Sequence, residues 1–310
     1  MEASTAKARV ICNPSSGGGT YVPERLREEL SSFDLDWIDT GSADDATEAA
    51  REWSGGLLIV AGGDGTINDV VNGLGKAGFP EDVTLALLPA GTGNDLAATL
   101  AIPERADQAE AVIRQNRVRT LDVARVRSAG VGERFFINVA TGGLGAQISD
   151  ANDEETKGKW GKLSYLRTSL KVASNFDVRE TTLHLDDEER KVRAVNIAVG
   201  NCRYAGGGWA AAPKANPEDG LLDVIVIEDV GLKEFLALAP AALARFDYLY
   251  NEGVFFARAR EVRVASQPGL EFTVDGEVIG DEPAEFVVIP RTLNVIVGPG
   301  YVPEPEGSSS

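Results

Sequence analysis

Histidine occurs once in this 310-residue chain, at His184, and cysteine twice, at Cys12 and Cys202. Two cysteines indicate neither a disulfide framework nor a cysteine-ligated metal centre. His184 stands between Leu183 and Leu185 in a strand-like alternation, so it reads as structural and histidine-based catalysis is not expected. Long apolar runs are missing as well. The apolar stretch Phe235 to Ala244 falls short of the roughly 18 residues of a membrane span and is broken by Pro240. The first residues, Met1 to Lys7, lack the apolar core of a signal peptide, and a cytoplasmic location is expected. Lysine is scarce: 9 Lys stand against 21 Arg, and the net charge is −18. No basic stripe is available to neutralise nucleic-acid phosphates, which excludes that class of partner. An acid-rich, lysine-poor surface suits a cytoplasm of molar salt, where the Debye length falls to about 3 Å and self-repulsion is screened; a halophilic origin is expected.

What is present is an ordinary globular balance, 43% hydrophobic and 25% charged residues, in a chain long enough for two cores. Up to about residue 120, short apolar runs alternate with helical patterns, the mark of a parallel sheet with crossover helices. Strands are expected at Val10–Cys12, Leu35–Ile38, Leu57–Val60 and Val83–Leu88. Helical spacing appears at Leu26, Leu30 and Phe33, across Ala43–Trp53, and at Ile67, Val70, Val71 and Leu74. Strand-like segments then dominate: Leu121–Val126, Phe135–Ala140, Thr181–Leu185, Val192–Val199, Leu222–Ile227, Glu261–Val264, Glu271–Val274 and Glu285–Ile289. They read as a mostly antiparallel sheet or sandwich interrupted by helical stretches at Lys162–Ser174 and Leu232–Leu249. The run Leu293–Val297 suits either domain, and Pro303–Ser310 reads as a mobile tail.

Three glycine-rich turns follow strands of the first half. Asn13-Pro14-Ser15-Ser16-Gly17 can converge backbone N–H groups on an anion, with the serine hydroxyls as further donors. Gly62-Gly63-Asp64-Gly65-Thr66 opens a helix, and Thr66 with Asp69 has capping-box spacing, so free N–H groups and a positive dipole end are expected just past the glycines. Asp64 repels a phosphate there unless Mg²⁺ lies between them. Gly91-Thr92-Gly93-Asn94-Asp95 repeats the design, with Thr92 and Asp95 again at capping-box spacing. Three such turns at carboxyl ends of one open sheet converge on its ligand crevice. Neither the P-loop nor the dinucleotide fingerprint is matched.

These turns, together with Ile67 and Asn68, Pro89 and Ala90, Tyr204–Gly208, Pro217–Asp223 and Asp275-Gly276-Glu277, resemble the diacylglycerol kinase catalytic domain of bacterial and archaeal YegS-like lipid kinases. The resemblance implies an α/β N-terminal domain with an open, mostly parallel sheet, of the NAD kinase/diacylglycerol kinase kind, and a C-terminal β-sandwich. It divides the chain into 1–124 with about 290–302, and 125–289, with the active site in the cleft. It implies ATP contacts from Asn13, Pro14, Ser15, Ser16, Gly17, Thr40, Gly62, Gly63, Asp64, Gly65, Thr66, Ile67, Asn68 and Thr92. Asp64 and Asp95 match positions that organise Mg²⁺–ATP, and Asn216, Asp219 and the Leu221 carbonyl match a structural Mg²⁺ site. Glu277 matches the base that takes the proton of the lipid hydroxyl, with Asp275 close by. One departure stands near the implied lipid entrance: Gly142-Gly143-Leu144-Gly145-Ala146-Gln147 lacks the usual Phe-Asp pair.

The chemistry is coherent in its own right. Phosphoryl transfer needs positioning and charge neutralisation, and an alcohol acceptor needs a carboxylate base. A lipid acceptor also needs transient membrane contact. Lys157, Lys159, Lys162, Arg167 and Lys171 with Trp160, Tyr165 and Leu166 suit docking on anionic headgroups, and equally a solvated helix packing its leucines on the sandwich. The expected enzyme is an ATP- and Mg²⁺-dependent lipid kinase, cytoplasmic and peripheral to the membrane, and a homodimer is compatible with it. A soluble-substrate kinase such as NAD kinase and an inactive nucleotide-binding regulator are the alternatives. If the acidic surface is a salt adaptation, calorimetry will show the melting temperature rising as KCl goes from dilute to molar; a fall refutes it.

Overall fold

The computed structural model of the chain describes residues 7–16, 27–28, 30, 34–143, 178–229, 247–281 and 283–305. The chain divides into two compact units, Met1–Asp122 with Arg291–Val302, and Val123–Pro290 with Pro303–Ser310. The divisions fall at 122/123 and 290/291, against the 124/125 and 289/290 read from the sequence. The residues from 303 group with the second unit, where Pro303 accepts a hydrogen bond from Arg203 Nη2 at 2.8 Å and Pro305 is buried. The start of the expected tail is therefore anchored.

In the first unit, β1 (Lys7–Cys12), β2 (Asp34–Asp39), β3 (Gly56–Gly62) and β4 (Val83–Pro89) pair in parallel in the order β2-β1-β3-β4. Asn294 and Val295, from the second half of β15 (Ala284–Ile296), add a fifth parallel pairing beside β4. The continuous apolar runs of β3 and β4 are buried, as strands covered on both faces require. The runs Glu285–Ile289 and Leu293–Val297, read separately in the sequence, belong to this one strand apart from Val297.

Among the described residues, the helices α1 (Ala43–Arg51), α2 (Asp64–Lys76), α3 (Asp95–Thr99) and α4 (Ala106–Gln115) accompany the sheet; the helical spacing expected at Leu26, Leu30 and Phe33 falls mostly outside the described residues. A capping box starts α1, with Ser42 Oγ accepting from Asp45 N at 3.3 Å and Asp45 Oδ2 accepting from Ser42 N at 2.9 Å. It stops at Arg51 rather than Trp53, whose ring is buried beneath the cations of Lys7 and Arg9. The sequence reading missed α4, whose inward face is Ala109, Val112 and Ile113.

The second unit is built from antiparallel pairings. Its strands are β5 (Val118–Ser128), which begins in the first unit, β6 (Gly132–Phe136), β7 (Val139–Gly143), β8 (Arg179–Leu185), β9 (Glu188–Gly200), β10 (Leu222–Glu228), β11 (Val254–Ala259), β12 (Glu261–Gln267), β13 (Phe272–Val274) and β14 (Glu277–Gly280). They run β14-β13-β7-β9-β8-β12-β15, with β10 pairing β9 and β11, and β5 pairing β6 and β15. The long strand β9 carries a bulge: Ile227 opposes Asn196 and Glu228 opposes Ala194, leaving Val195 extra. Val195 and Ala198 thus enter one core with Ile225, Ile227 and Tyr248, while Ala194, Ile197 and Val199 enter another with Phe136, Phe272 and Phe286. Cores on both faces of β9 make the unit a β-sandwich.

Two sequence expectations change here. Phe135–Ala140 is not one strand but the end of β6 and the start of β7, broken at Ile137 and Asn138. The strands β11 and β14 were not anticipated. Lys162–Ser174 lies outside the described residues, as does Leu232–Leu249 except for its end in the 3-10 turn Asp247–Tyr250. Among the described residues, no helix is long and apolar enough to cross a membrane.

Gly73 sets the distance between α1 and α2. A Cβ there would stand 2.2 Å from the Thr47 carbonyl oxygen and 2.8 Å from Ala50 Cβ. Alanine improves helix propensity by about 1 kcal/mol, but overpacking against backbone costs about 1–3 kcal/mol, and a 2.2 Å approach belongs at the upper end. Gly73→Ala is expected to lower stability by about 2 kcal/mol in urea denaturation despite the better helix former.

Candidate functional site

The three glycine turns of the first unit meet. Asn13, just past β1, donates its N–H to Ala61 O at 2.9 Å and its Nδ2 to Thr66 Oγ1 at 3.1 Å. Its Oδ1 accepts from Ser15 N and Ser15 Oγ at 3.1 and 2.7 Å, so Asn13 shapes its own turn, in which Pro14 and Ser15 are exposed. Ala90 N donates to Gly62 O at 2.9 Å. A Cβ on Gly91 would stand 2.6 Å from Gly63 Cα, and one on Gly62 would stand 2.7 Å from Thr66 Cβ. These glycines are demanded by the fold. Gly65 is not: no atom lies within 4 Å of a Cβ built there, and its φ is outside the left-handed region.

Neither expected capping box forms. The N-cap of α2 is Gly63, with no side-chain bond, so Thr66 lies inside the first turn and its hydroxyl serves Asn13. The N-cap of α3 is Asn94 in the left-handed conformation, φ 54°. Its side chain closes the turn instead, with Oδ1 accepting from Gly91 N and Nδ2 donating to Gly91 O, both at 2.9 Å. The third turn is also not an open phosphate cradle. Asp64 Oδ1 accepts from Leu96 N at 3.3 Å, placing a carboxylate on the N-terminus of α3. Burial raises the Asp64 carboxyl above its usual range, against the N–H groups of Asp95, Leu96 and Asn94.

The other positions expected to contact a nucleotide divide into surface and interior. Thr92 is exposed. Thr40 is buried, its N–H and Oγ1 both donating to Cys12 O at 2.8 and 3.2 Å. Ile67 and Asn68 face inward, and Asn68 accepts from Asn72 Nδ2 through O and Oδ1. Asp95 is buried at the start of α3, and Gly17 lies outside the described residues. Burial pushes the Cys12 thiol up to about 11, which keeps it neutral.

In the second unit, the Asp-Gly-Glu turn separates two acids by role. Asp275, at φ 47°, accepts from Ile137 N at 3.0 Å through Oδ2 and from Asn138 N and Val139 N at 3.1 and 3.2 Å through Oδ1. That clamp breaks β6 from β7. Glu277 forms an ion pair with Arg134, which the sequence reading did not single out. His184 is exposed on β8.

Asn216, Asp219 and Leu221 share one turn. Asn216 Oδ1 accepts from Glu218 N at 3.1 Å, and Asp219 Oδ1 from Leu221 N at 3.0 Å, with Gly220 at φ 73° between them. An amide oxygen, a carboxylate and a main-chain carbonyl are the hard donors a Mg²⁺ or Ca²⁺ ion takes, so the residues fit the cation the resemblance implies. Beside them Asp223, 1% exposed, pairs with Arg258 Nε at 2.9 Å, and its Oδ2 has no hydrogen-bond partner among the described residues. Burial pushes Asp223 up to about 7 although Arg258 lowers it. The segment 157–171 and the departure at Leu144–Gln147 lie outside the described residues.

A family model described as the diacylglycerol kinase catalytic domain matches residues 7–126, and one described as the YegS C-terminal NAD kinase beta sandwich-like domain matches residues 138–297. A diacylglycerol kinase of Bacillus subtilis (strain 168) is 30% identical over 300 residues, covering 94% of this chain and 96% of that one. One from Staphylococcus saprophyticus is 29% identical over 296 residues, covering 93% and 94%. A solved structure from Bacillus anthracis, assigned to the diacylglycerol kinases, matches with TM-score 0.80 at 27% identity over 97% of this chain and 98% of that one.

Removing the Asp275 carboxylate leaves three backbone donors without their acceptor, at about 1–3 kcal/mol for a buried one. Asp275→Ala is expected to destabilise the protein by about 3 kcal/mol in denaturant titration. An unchanged midpoint would show that the clamp contributes nothing.

Proposed function

Because the chain belongs to the diacylglycerol kinase family, we propose that it transfers the γ-phosphate of ATP, with Mg²⁺, to the hydroxyl of a lipid alcohol of the diacylglycerol type. The observation that carries the donor side is Gly65. A glycine inside a helix costs up to about 1 kcal/mol relative to alanine. Gly62, Gly63 and Gly91 are each required by a close contact, whereas Gly65 faces open space at ordinary φ. Room without an internal reason is room for a ligand. It adjoins the free N–H groups at the start of α2, where the dipole favours phosphate.

Around that room, Ser15, Gly63, Gly65 and Thr66 would bind and orient the nucleotide. Asp64, whose carboxylate accepts from Leu96 N of α3, and Asp95 at the start of α3 would hold Mg²⁺; a cation there would relieve the burial of the Asp64 carboxyl. When bound, Mg²⁺ neutralises charge on the phosphoryl oxygens. Asn216, Asp219 and Leu221 would hold a second, structural ion. Glu277 takes the proton of the acceptor hydroxyl as its oxygen bonds to the γ-phosphorus; the bond to the bridging oxygen breaks, and ADP leaves with that electron pair. Asp275 does not share this role, since its carboxylate holds three N–H groups. The acceptor is met at a membrane surface, where the basic segment 157–171 would dock, and the enzyme works in a salt-rich cytoplasm.

The test is incubation with labelled ATP, Mg²⁺ and a panel of lipid alcohols in high KCl, with NAD as a control acceptor. Labelled lipid is the expected result; label on NAD alone, or on nothing, overturns the proposal. Gly65→Ala is expected to keep or raise the melting temperature while weakening ATP binding at least tenfold. Glu277→Gln is expected to abolish turnover with ATP binding intact, and near-normal kcat would remove Glu277 from its role.

A further inference from the structure

Arg134 stands where arginine is rarely found. In the β5–β6 hairpin it is directly paired with Val126, so the two side chains project to the same face. Val126 and Phe136 on that face belong to the large core of the sandwich, with Ile279 of β14. Arg134 is therefore a core-side residue near the end of the hairpin, 24% exposed, and such a cation needs a counter-ion. Its ion pair is with Glu277 Oε2. The hairpins are tied a second time where Ser128 Oγ donates to Ile279 O at 3.2 Å.

Glu277 opens a strand of only four residues and is 40% exposed. A glutamate so placed samples several rotamers in water, and a general base must sit within hydrogen-bond reach of its proton. We propose that Arg134 is a positioning residue for Glu277: its planar guanidinium, anchored on the core side of β6, holds the carboxylate in one orientation from which it meets the acceptor hydroxyl. This rests on the reading of Glu277 as the base. Lysine, a point charge on a flexible stem, would reproduce the charge and not the orientation.

The experiment compares wild type, Arg134→Met, Arg134→Lys and Glu277→Gln in the labelled-ATP assay with an acceptor the wild type uses. Methionine suits a core-side position, so folding is kept and a calorimetric melting temperature verifies it. Expected for Arg134→Met is a kcat loss of about 10- to 100-fold with KM for ATP unchanged, the scale of a misplaced group. Arg134→Lys falls between, and adding Arg134→Met to Glu277→Gln gives no further loss. Independently of turnover, labelling of Glu277 by carbodiimide and an amine, read by peptide mass spectrometry, rises several-fold in Arg134→Met while labelling of Asp281 stays constant. Wild-type kcat in Arg134→Met overturns the inference, as do unchanged labelling of Glu277 or a loss that persists in full in the Glu277→Gln background. A parallel fall of kcat, ATP affinity and melting temperature marks a merely structural pair and also overturns it. A wild type inactive on every lipid alcohol instead fails the kinase reading itself.

Discussion

At Gly63 and Gly91 two backbones approach so closely that a methyl group on either would collide with the other's Cα. Much of the arrangement of the first unit's glycine turns follows from that contact. It lets Ala90 N bond to Gly62 O, which joins the turns after β3 and β4. It brings the N-terminus of α3 within reach of Asp64 at the N-terminus of α2. Any side chain at these two positions would separate the turns, and the carboxylate would lose its donors.

Carboxylates on glycine turns work inward at two places in the molecule. Asp64 holds the start of α3, and Asp275 holds three consecutive N–H groups where β6 breaks from β7. In each case an acid that looks like chemistry in the sequence satisfies main-chain donors that would otherwise be left without partners. The consequence differs. Asp275 has its oxygens committed to the clamp, whereas Glu277 of the same turn faces Arg134. Asp64 keeps a carboxyl raised by burial against the N–H groups it accepts from.

Charge inside the sandwich obeys the same economy. Asp223 and Arg258 pair in the interior, with Lys214 between the rings of Tyr250 and Phe256 and its carbonyl accepting from Arg258. These groups back the turn of Asn216, Asp219 and Leu221. Arg134 reaches Glu277 from a core-side position for a related reason, since a cation facing apolar side chains requires a nearby acid. A protein with net charge −18 thus places several arginines where they organise acids.

Much of the fold was legible in the residues themselves. The apolar runs of β3 and β4 announced buried parallel strands, glycines after strands announced turns, and the switch to short alternating segments announced the sandwich. Local patterns report burial and turn chemistry directly, because side-chain period and backbone freedom are properties of a few adjacent residues. Helix α4 carried the same signal in Ala109, Val112 and Ile113 and was overlooked, and Asn94 was marked by being a left-handed-tolerant residue after glycine. What no local pattern could carry was partnership across long separations. Whether Asp64 faces a ligand or Leu96 N, whether Asp275 is a base or a clamp 136 to 138 residues from its donors, and which cation meets Glu277 depend on strands brought together by the whole fold. The sequence alone determined that this chain has an open, mostly parallel sheet, a sandwich and acids on glycine turns; only the tertiary structure decided which acids are already engaged, because hydrogen-bond donors are assigned by proximity in space and not along the chain.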